Sequence, residues 1–306
     1  MNAAGRWLLS GSTALLLGAC AGPRSRPHPS HPDNGRDEAI PAHETSLPQS
    51  RRYRQDRDDG PRASPIDVSK IPEPVPKVEP HSRYGNKSTY SVLGRTYHVL
   101  PTAVGYDERG IASWYGNKFH GFMTSSFEPY DMYAFTAAHK TLPLPSYARV
   151  TNLANGKSVV VRVNDRGPFV ENRLIDLSYA AAVKIGIWPR GTGMVEVRAI
   201  DPAHPQAEPA TSTAVTGKGS RHALAHIYLQ LGAFGDRRNA ERLARALERA
   251  GIDGVRVQTA AVNGRRLHRV RVGPLANVAA ADALSPRIRK LGFGVPRVTV
   301  QMPDDR

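Results

Sequence analysis

The stretch SVVVRVNDRGPF, Ser158 to Phe169, begins as a strand and ends on a charged turn closed by Gly167 and Pro168. Val159, Val161 and Val163 alternate with Val160, Arg162 and Asn164, so one face packs and the other meets solvent at its far end. A rigid strand of this kind sets Asp165 at its mouth. Just upstream, LANG between ARVTN and KSVVVRV signals a hairpin. Around this pair lie the short segments GIASWYG, YDMYAFTAA and GMVEVRAI, with one convincing helix in LSYAAAVKIGI. Many short strands with a single helix predict a compact barrel from about Gly105 to Ile200.

The flanks read differently. The 306 residues include 25 prolines and 27 glycines, unevenly spread, so part of the chain is linker. Residues 1–19 read as an export signal: Arg6, then WLLSGSTALLLGA, too short an apolar run to span a bilayer. LGAC, Leu17 to Cys20, resembles a bacterial lipobox, which implies cleavage before Cys20 and acylation of its thiol and new amino terminus. The other reading is an ordinary signal peptide with an incidental cysteine. Cys20 is the only cysteine, so no internal disulfide can form. Ala21 and Gly22 follow it with no Asp, which by analogy with lipoprotein sorting favours the outer membrane. Residues 20–84 carry few large apolar side chains and are expected to be a disordered tether. Within them RRYRQDRDDG nearly cancels its own charge and reads as solvated linker rather than as a nucleic-acid patch. Residues 202–220, rich in Pro, Ala and Thr, form a second linker.

Residues 221–302 hold 15 basic and 5 acidic side chains, which is +10 of the chain's net +15. Such a domain suits nucleic acid, a membrane surface or another anionic polymer, and an export signal argues against the first. The segment also repeats itself. GAFGDRRNAERLARALERAG from Gly232 and GPLANVAAADALSPRIRKLG from Gly273 match Leu243 with Leu284 and Leu247 with Ile288. With strands IYLQLGAF, GVRVQTA, LHRVRVGP and PRVTV the order is β-α-β-β-α-β, an antiparallel sheet covered on one face by two helices. Pro286 should bend or shorten the second helix. If Ile227, Leu229, Leu231, Val270 and Val272 face the helices, Tyr228, Gln230, Arg269 and Arg271 occupy the open face. They form either a surface that binds a polar polymer or a solvated sheet face. At YLQLGAF and RVRVGP the domain resembles the SPOR repeat of bacterial division proteins, which implies binding of peptidoglycan strands stripped of stem peptides. The sheet lacks the clustered aromatics with which an RRM of similar fold stacks bases.

GIASWYGNKFHG, YDMYAFTAAHKTLPLPSYARVTN and VVVRVNDRGPFVENRLIDLSYAAAVKIGI together resemble the rare lipoprotein A family of septal lytic transglycosylases. The fold class this implies is an all-β double-psi β-barrel over residues 85–201, followed by an α+β, ferredoxin-like SPOR domain over 221–302. The implied activity is cleavage of MurNAc–GlcNAc β-1,4 bonds in denuded glycan strands, in septal wall processing and daughter-cell separation. The sugar's own 6-hydroxyl replaces water and leaves a 1,6-anhydro end. The family's glutamate falls on Glu128, its histidine on His139 and its aspartate on Asp165. A glycosidic bond needs a proton donor and a carboxylate that stabilises an oxocarbenium-like state; Asp165 is expected to be the acid/base, with Glu128 and His139 positioning or stabilising. The implied setting is an outer-membrane lipoprotein facing the periplasm at the septum, held through Cys20. Its partner is peptidoglycan, with septal proteins left open, and no nucleic acid, metal or cofactor is expected.

Other readings of the same residues stand beside these. Asp165 next to Arg166 reads also as a turn cap in an ion pair, and that guanidinium would lower its pKa unless it points elsewhere. His139 reads also as a structural hydrogen-bonder, Asp131 as an alternative carboxylate, and Trp114 and Tyr115 as core or as sugar-stacking surface. The family usually has a small, glycine-containing turn before the glutamate, where this chain has TSSFEPYD. If that turn needs a positive φ, Phe127 strains it and shifts Glu128. The rival function is a non-catalytic, expansin-like wall-binding protein.

Overall fold

The computed structural model describes residues 59–61, 66–204, 225–262 and 264–302. The export signal, Cys20 with its lipobox, most of the tether and all but the first three residues of the 202–220 linker lie outside the described residues. The first lobe comprises a hairpin, β1 (Thr89–Val92) and β2 (Arg95–His98), then β3 (Asp107–Tyr115), β4 (Thr136–His139), β5 (Ser146–Asn152), β6 (Ser158–Asp165), β7 (Ile175–Ser178), helix α1 (Tyr179–Lys184) and β8 (Gly193–Ile200). Strands β3 to β8 close into a six-stranded barrel in the order β3-β7-β4-β6-β5-β8. Two of its pairings are parallel, β3 with β7 and β4 with β6.

Val159, Val161 and Val163 of β6 are fully buried in the barrel interior with Val150, Leu177 and Val197. The hairpin expected at LANG joins β5 to β6, with Thr151 opposite Ser158. YDMYAFTAA is a strand only from Thr136. Asp131 accepts from the Tyr133 N–H at 2.9 Å and its carbonyl from Ala134 N–H at 3.2 Å, which turns the chain before the strand can start.

The outer face of β6 does not meet solvent as the alternation suggested. Val160 and Asn164 are buried, because the end of the expected tether lies along this face. Val160 N–H donates to Glu73 at 2.9 Å, Ser82 N–H to the Leu144 carbonyl at 2.8 Å, and Asn86 both donates to that carbonyl (2.6 Å) and accepts from the Leu144 N–H (2.8 Å). Residues 66–84 thus depart from the disordered tether expected over 20–84. Ile66, Val68 and Ile71 pack against the barrel core, and backbone and carboxylate hydrogen bonds to the barrel hold the rest of the segment.

The second lobe follows the expected order: β9 (His226–Phe234), α2 (Arg237–Arg249), β10 (Val255–Val262), β11 (Arg265–Leu275), α3 (Val278–Lys290) and β12 (Arg297–Gln301). Its sheet is antiparallel in the order β10-β11-β9-β12. The repeat-related Leu247 and Ile288 are both fully buried beneath it. Pro286 does not shorten α3, which runs 13 residues, as α2 does. Proline removes one backbone donor, and burial of Ala281, Ser285 and Ile288 holds the helix through that gap. The lobes touch where Arg173 forks onto Asp282 (3.1 and 2.7 Å) and Arg297 reaches Glu108 (3.0 Å).

Gly85 tests the docked segment. Its φ is +76°, and a Cβ there would stand 2.8 Å from the Ser125 carbonyl oxygen. Gly85→Ala is expected to destabilise the first lobe by about 1–2 kcal/mol from the left-handed backbone alone, and by more if the clash is not relieved. A urea midpoint equal to that of the unmodified chain would show that the segment does not need this approach.

Candidate active site

The site is built where β6 leaves β4. Thr136 pairs with Arg162 and Ala137 with Val163, then the register slips and Ala138 pairs with Asp165. The extra residue, Asn164, and the slip re-aim Asp165 off the interior side shared by Val161 and Val163. Gly167, at φ +147°, then carries the chain away past Ala138.

The turn Thr124–Glu128 docks on this strand end. Phe127 N–H donates to the Thr124 carbonyl at 2.9 Å, and Thr124 N–H to the Glu128 carbonyl at 2.8 Å. Ser126 Oγ donates to the Asn164 carbonyl at 2.7 Å. Ser125 turns inward and donates twice to Asp165 Oδ1, from N–H at 2.8 Å and Oγ at 2.6 Å, while Arg166 N–H adds a third bond at 2.7 Å. All three fall on one oxygen, Oδ1. Burial pushes the Asp165 pKa above its ordinary value and outweighs the three hydrogen bonds, which favour the ionised form.

The Arg166 guanidinium does point elsewhere. It donates to the carbonyls of Gly85 (2.8 Å) and His139 (3.0 Å), to the Leu142 carbonyl, and to Asn86 Oδ1 (3.1 Å). It knits the docked segment to the barrel and makes no ion pair with Asp165.

Glu128 stands in the opposite environment. Arg162 forks onto it, Nη1 to Oε2 at 2.6 Å and Nη2 to Oε1 at 3.0 Å, and Asn164 Nδ2 donates to Oε2 at 3.0 Å. Burial alone would raise its pKa, but the bonds from Arg162 and Asn164 outweigh it and hold the carboxylate below its usual range. Arg162 is itself gripped from the other edge by Glu79, Nε to Oε1 and Nη2 to Oε2, both at 3.0 Å. Tyr147 donates its hydroxyl to the same Glu79. One arginine therefore bridges two carboxylates, and its head group is fixed in plane and direction.

His139 is buried and faces Tyr106. Its Nδ1 accepts from the N–H groups of Thr141 (3.2 Å) and Leu142 (3.0 Å), which leaves the hydrogen on Nε2, 2.9 Å from the Tyr106 hydroxyl. Burial, with Lys140 and Arg166 adding to it, pulls its pKa down to about 3. The ring is neutral with both nitrogens engaged, while its backbone carbonyl anchors Arg166. Asp131 is exposed and caps the Tyr133 turn. Tyr115 is buried and stacked on Tyr130 with ring centroids 4.0 Å apart, and Trp114 packs edge-on against Tyr179 at 6.0 Å. Both belong to the core.

Phe127 adopts φ +64°, as feared for this turn. A left-handed non-glycine residue costs about 1–3 kcal/mol; the contact of its ring with Tyr84, centroids 4.3 Å apart, returns about 0.5–1.5 kcal/mol. Glu128 is nonetheless seated on Arg162. Sequence reasoning missed Ser125, Glu79 and Asn86, and took Arg162 for a solvated residue. For Arg162 the available signal was a lone arginine in a valine strand, two residues before an Asn-Asp pair.

On the second lobe Tyr228, Gln230, Arg269 and Arg271 lie on the half-buried side of the sheet, where Arg269 and Arg271 line a crevice with Asp107, Glu108, Glu196 and Arg198 of the barrel. Arg271 is the centre of that side: it is buried, donates to the side-chain oxygens of Gln230 (3.3 Å), Gln258 (2.8 Å) and Gln301 (3.0 Å), and lies 5.8 Å from the Tyr228 ring centroid. Arg269 lies beside it, half-buried.

Two carboxylates in unlike environments on the rim of a double-psi barrel are the equipment of a carbohydrate-cleaving protein. Residues 107–199 match the family described as lytic transglycolase, and residues 223–295 match the SPOR domain. A Pseudomonas aeruginosa (strain UCBPP-PA14) protein named endolytic peptidoglycan transglycosylase RlpA is 39% identical over 311 residues, which cover 86% of this chain and 90% of that protein. The protein of that name from Vibrio cholerae is 39% identical over 242 residues, covering 79% and 87%. Among solved structures, the RlpA SPOR domain from Pseudomonas aeruginosa is 33% identical and covers 25% of this chain and 99% of that one, with a TM-score of 0.22. The chain belongs to the rare lipoprotein A (RlpA) family.

Ser125 provides the test of the site's electrostatics. Its hydrogen bonds favour the ionised carboxylate, so Ser125→Ala should move the Asp165 titration midpoint further up, followed through the carboxyl carbon by NMR. An unmoved midpoint would mean that Ser125 does not govern this carboxyl.

Proposed function

We propose that this chain is a lytic transglycosylase of peptidoglycan in which Asp165 is the single acid/base. Asp165 Oδ2 gives its proton to the glycosidic oxygen as the C1–O4 bond of MurNAc breaks. The ionised Asp165 then takes the proton of the same sugar's 6-hydroxyl as O6 closes onto C1, which restores the acid and leaves the 1,6-anhydro ring without consuming water. Glu128, kept ionised by Arg162 and Asn164, faces the positive charge that develops on the sugar. His139 is a positioning residue: its ring fixes the Thr141–Leu142 turn, and its carbonyl holds Arg166. The observation that carries the reading is the opposite displacement of the two carboxylates, Asp165 upward and Glu128 downward.

The second lobe recruits the enzyme to stripped strands. Removal of the stem peptide frees a lactyl carboxylate on each muramic acid, a group suited to the guanidinium groups of Arg269 and Arg271. In this reading Cys20 carries the lipid anchor, the protein faces the periplasm from the outer membrane, and it acts at the division septum, where stripped strands accumulate.

Mass spectrometry of products from amidase-stripped glycan tests the chemistry. Anhydro-ended fragments are expected from the unmodified chain, with at least a 1,000-fold loss, roughly, in Asp165→Asn. No fragments from the unmodified chain would leave only a wall-binding protein. Asparagine keeps the Oδ1 acceptor and removes the buried charge, so folding supplies the control. The unmodified chain loses stability as pH rises from the unfolded aspartate value through the raised folded one, whereas Asp165→Asn lacks that slope and should be at least as stable at neutral pH. Arg271→Ala should abolish co-sedimentation with stripped glycan while leaving the barrel's melting unchanged; retained co-sedimentation would remove the sheet face from the binding site.

A further inference from the structure

Phe127 and Tyr84 stand beside the carboxylates with their rings open to solvent, 49% and 45% exposed, and none of the chemistry above uses them. Their centroids are 4.3 Å apart and their planes tilt by 32°. Phe127 occupies a left-handed backbone position that glycine fills without strain. A strained bulky residue directly preceding a reacting group points to a use for its side chain. Tyr84 comes from outside the stretch that matches the lytic transglycolase family, on the segment that Gly85 and Asn86 fasten to Arg166. The Arg83 guanidinium lies 5.9 Å from the Tyr84 centroid and puts a cation on the rim of the pair.

We infer that Phe127 and Tyr84 form a stacking subsite for one N-acetylhexosamine ring of the glycan, an inference that rests on the function proposed above. A pyranose with equatorial substituents has an apolar C–H face and a polar rim. With centroids 4.3 Å apart the rings back one another, so the outer face of the pair matches the apolar face of the sugar, while Glu128 on the same turn and Arg83 beside Tyr84 meet the rim. Because Phe127 and Glu128 are consecutive, the turn fixes the distance from the stacked sugar to the carboxylate that faces the reacting carbon. The strain at Phe127 is the cost of aiming the ring outward at that spacing. A protein partner is a poorer occupant: a stable interface buries about 1,200–2,000 Å² in total, and two half-exposed rings supply a small fraction of that.

Kinetics on amidase-stripped glycan with the full chain separate the possibilities. Phe127→Gly and Tyr84→Ala should each raise KM about 3- to 10-fold with kcat held within about twofold. Phe127→Tyr should keep the KM of the unmodified chain, and Phe127→Leu, apolar but without a ring face, should behave like Phe127→Gly. A readout free of turnover is the ring resonance of 13C-labelled Phe127, which chitohexaose should shift in the full chain but not in Tyr84→Ala. Equal KM values throughout, a Phe127→Leu that matches the unmodified chain, or a Phe127 signal that ignores chitohexaose would each overturn the subsite and leave the roles of Asp165 and Glu128 standing. Shifted Phe127 with no anhydro products would keep the subsite and remove the lytic reading. A smaller sedimenting species for Phe127→Gly with unchanged KM would assign the rings to a second copy of the chain and overturn the inference.

Discussion

Where β6 runs beside β4 the pairing skips a residue, and Asn164 is left between the partners of Ala137 and Ala138. With an unbroken period of two, Asp165 would follow Val161 and Val163 into an apolar interior, where no substrate could reach it. The skip hands the Asn164 amide to Glu128, the Asn164 carbonyl to Ser126, and Asp165 to Ser125. The turn that carries Glu128 is therefore seated by the same irregularity that aims Asp165. Gly85 in turn lies against the Ser125 carbonyl, and Arg166 ties Gly85 and Asn86 to the barrel. Three stretches far apart in the chain converge on one misaligned pair of strands.

The barrel and the repeat were legible because they rest on periodicity. Alternating valines mark β6, and the matched Leu247 and Ile288 mark two equivalent helices, both buried as the pattern demands. The positive φ at Phe127 was legible too, since a glycine-favouring turn with a phenylalanine in it is a local conflict. The role of Arg162 was not. Alternation says that it faces away from the core, and solvent is the default on that side. Only the docking of Glu79 and Glu128 turns that outer face into an interior. Residues 66–84 were misjudged for a related reason. Composition averages over the segment, which places only a few apolar side chains, Ile66, Val68 and Ile71, on the core and is held further by Glu73, Glu79 and the Ser82 N–H, whose partners lie more than 50 residues away. The slip that creates Asn164's position leaves no mark in composition at all.

Charge divides the labour between the lobes. The second carries +10 of the chain's net charge, a field that draws in an anionic polymer before contact and is screened beyond about 8–10 Å at ordinary ionic strength. The barrel's own charge, 11 basic against 9 acidic side chains over residues 105–201, nearly cancels, and the offset between the two carboxylates is set by their local partners.

That difference is what a single-acid mechanism requires. With two carboxylates sharing a rim, the proton must reside on the one that faces the leaving oxygen, and the negative charge on the one that faces the sugar carbon. Arg162 settles the choice: its fork keeps Glu128 ionised, and Glu79 holds that fork in place from its other edge. Ser125 and the Arg166 N–H place their bonds on Oδ1 of Asp165, and these oppose the upward shift that desolvation imposes on the half-buried aspartate. Asp165 is thereby set by two opposing terms, burial and hydrogen bonding, of which burial prevails. The Ser125 hydroxyl enters that balance from the same turn that carries Glu128.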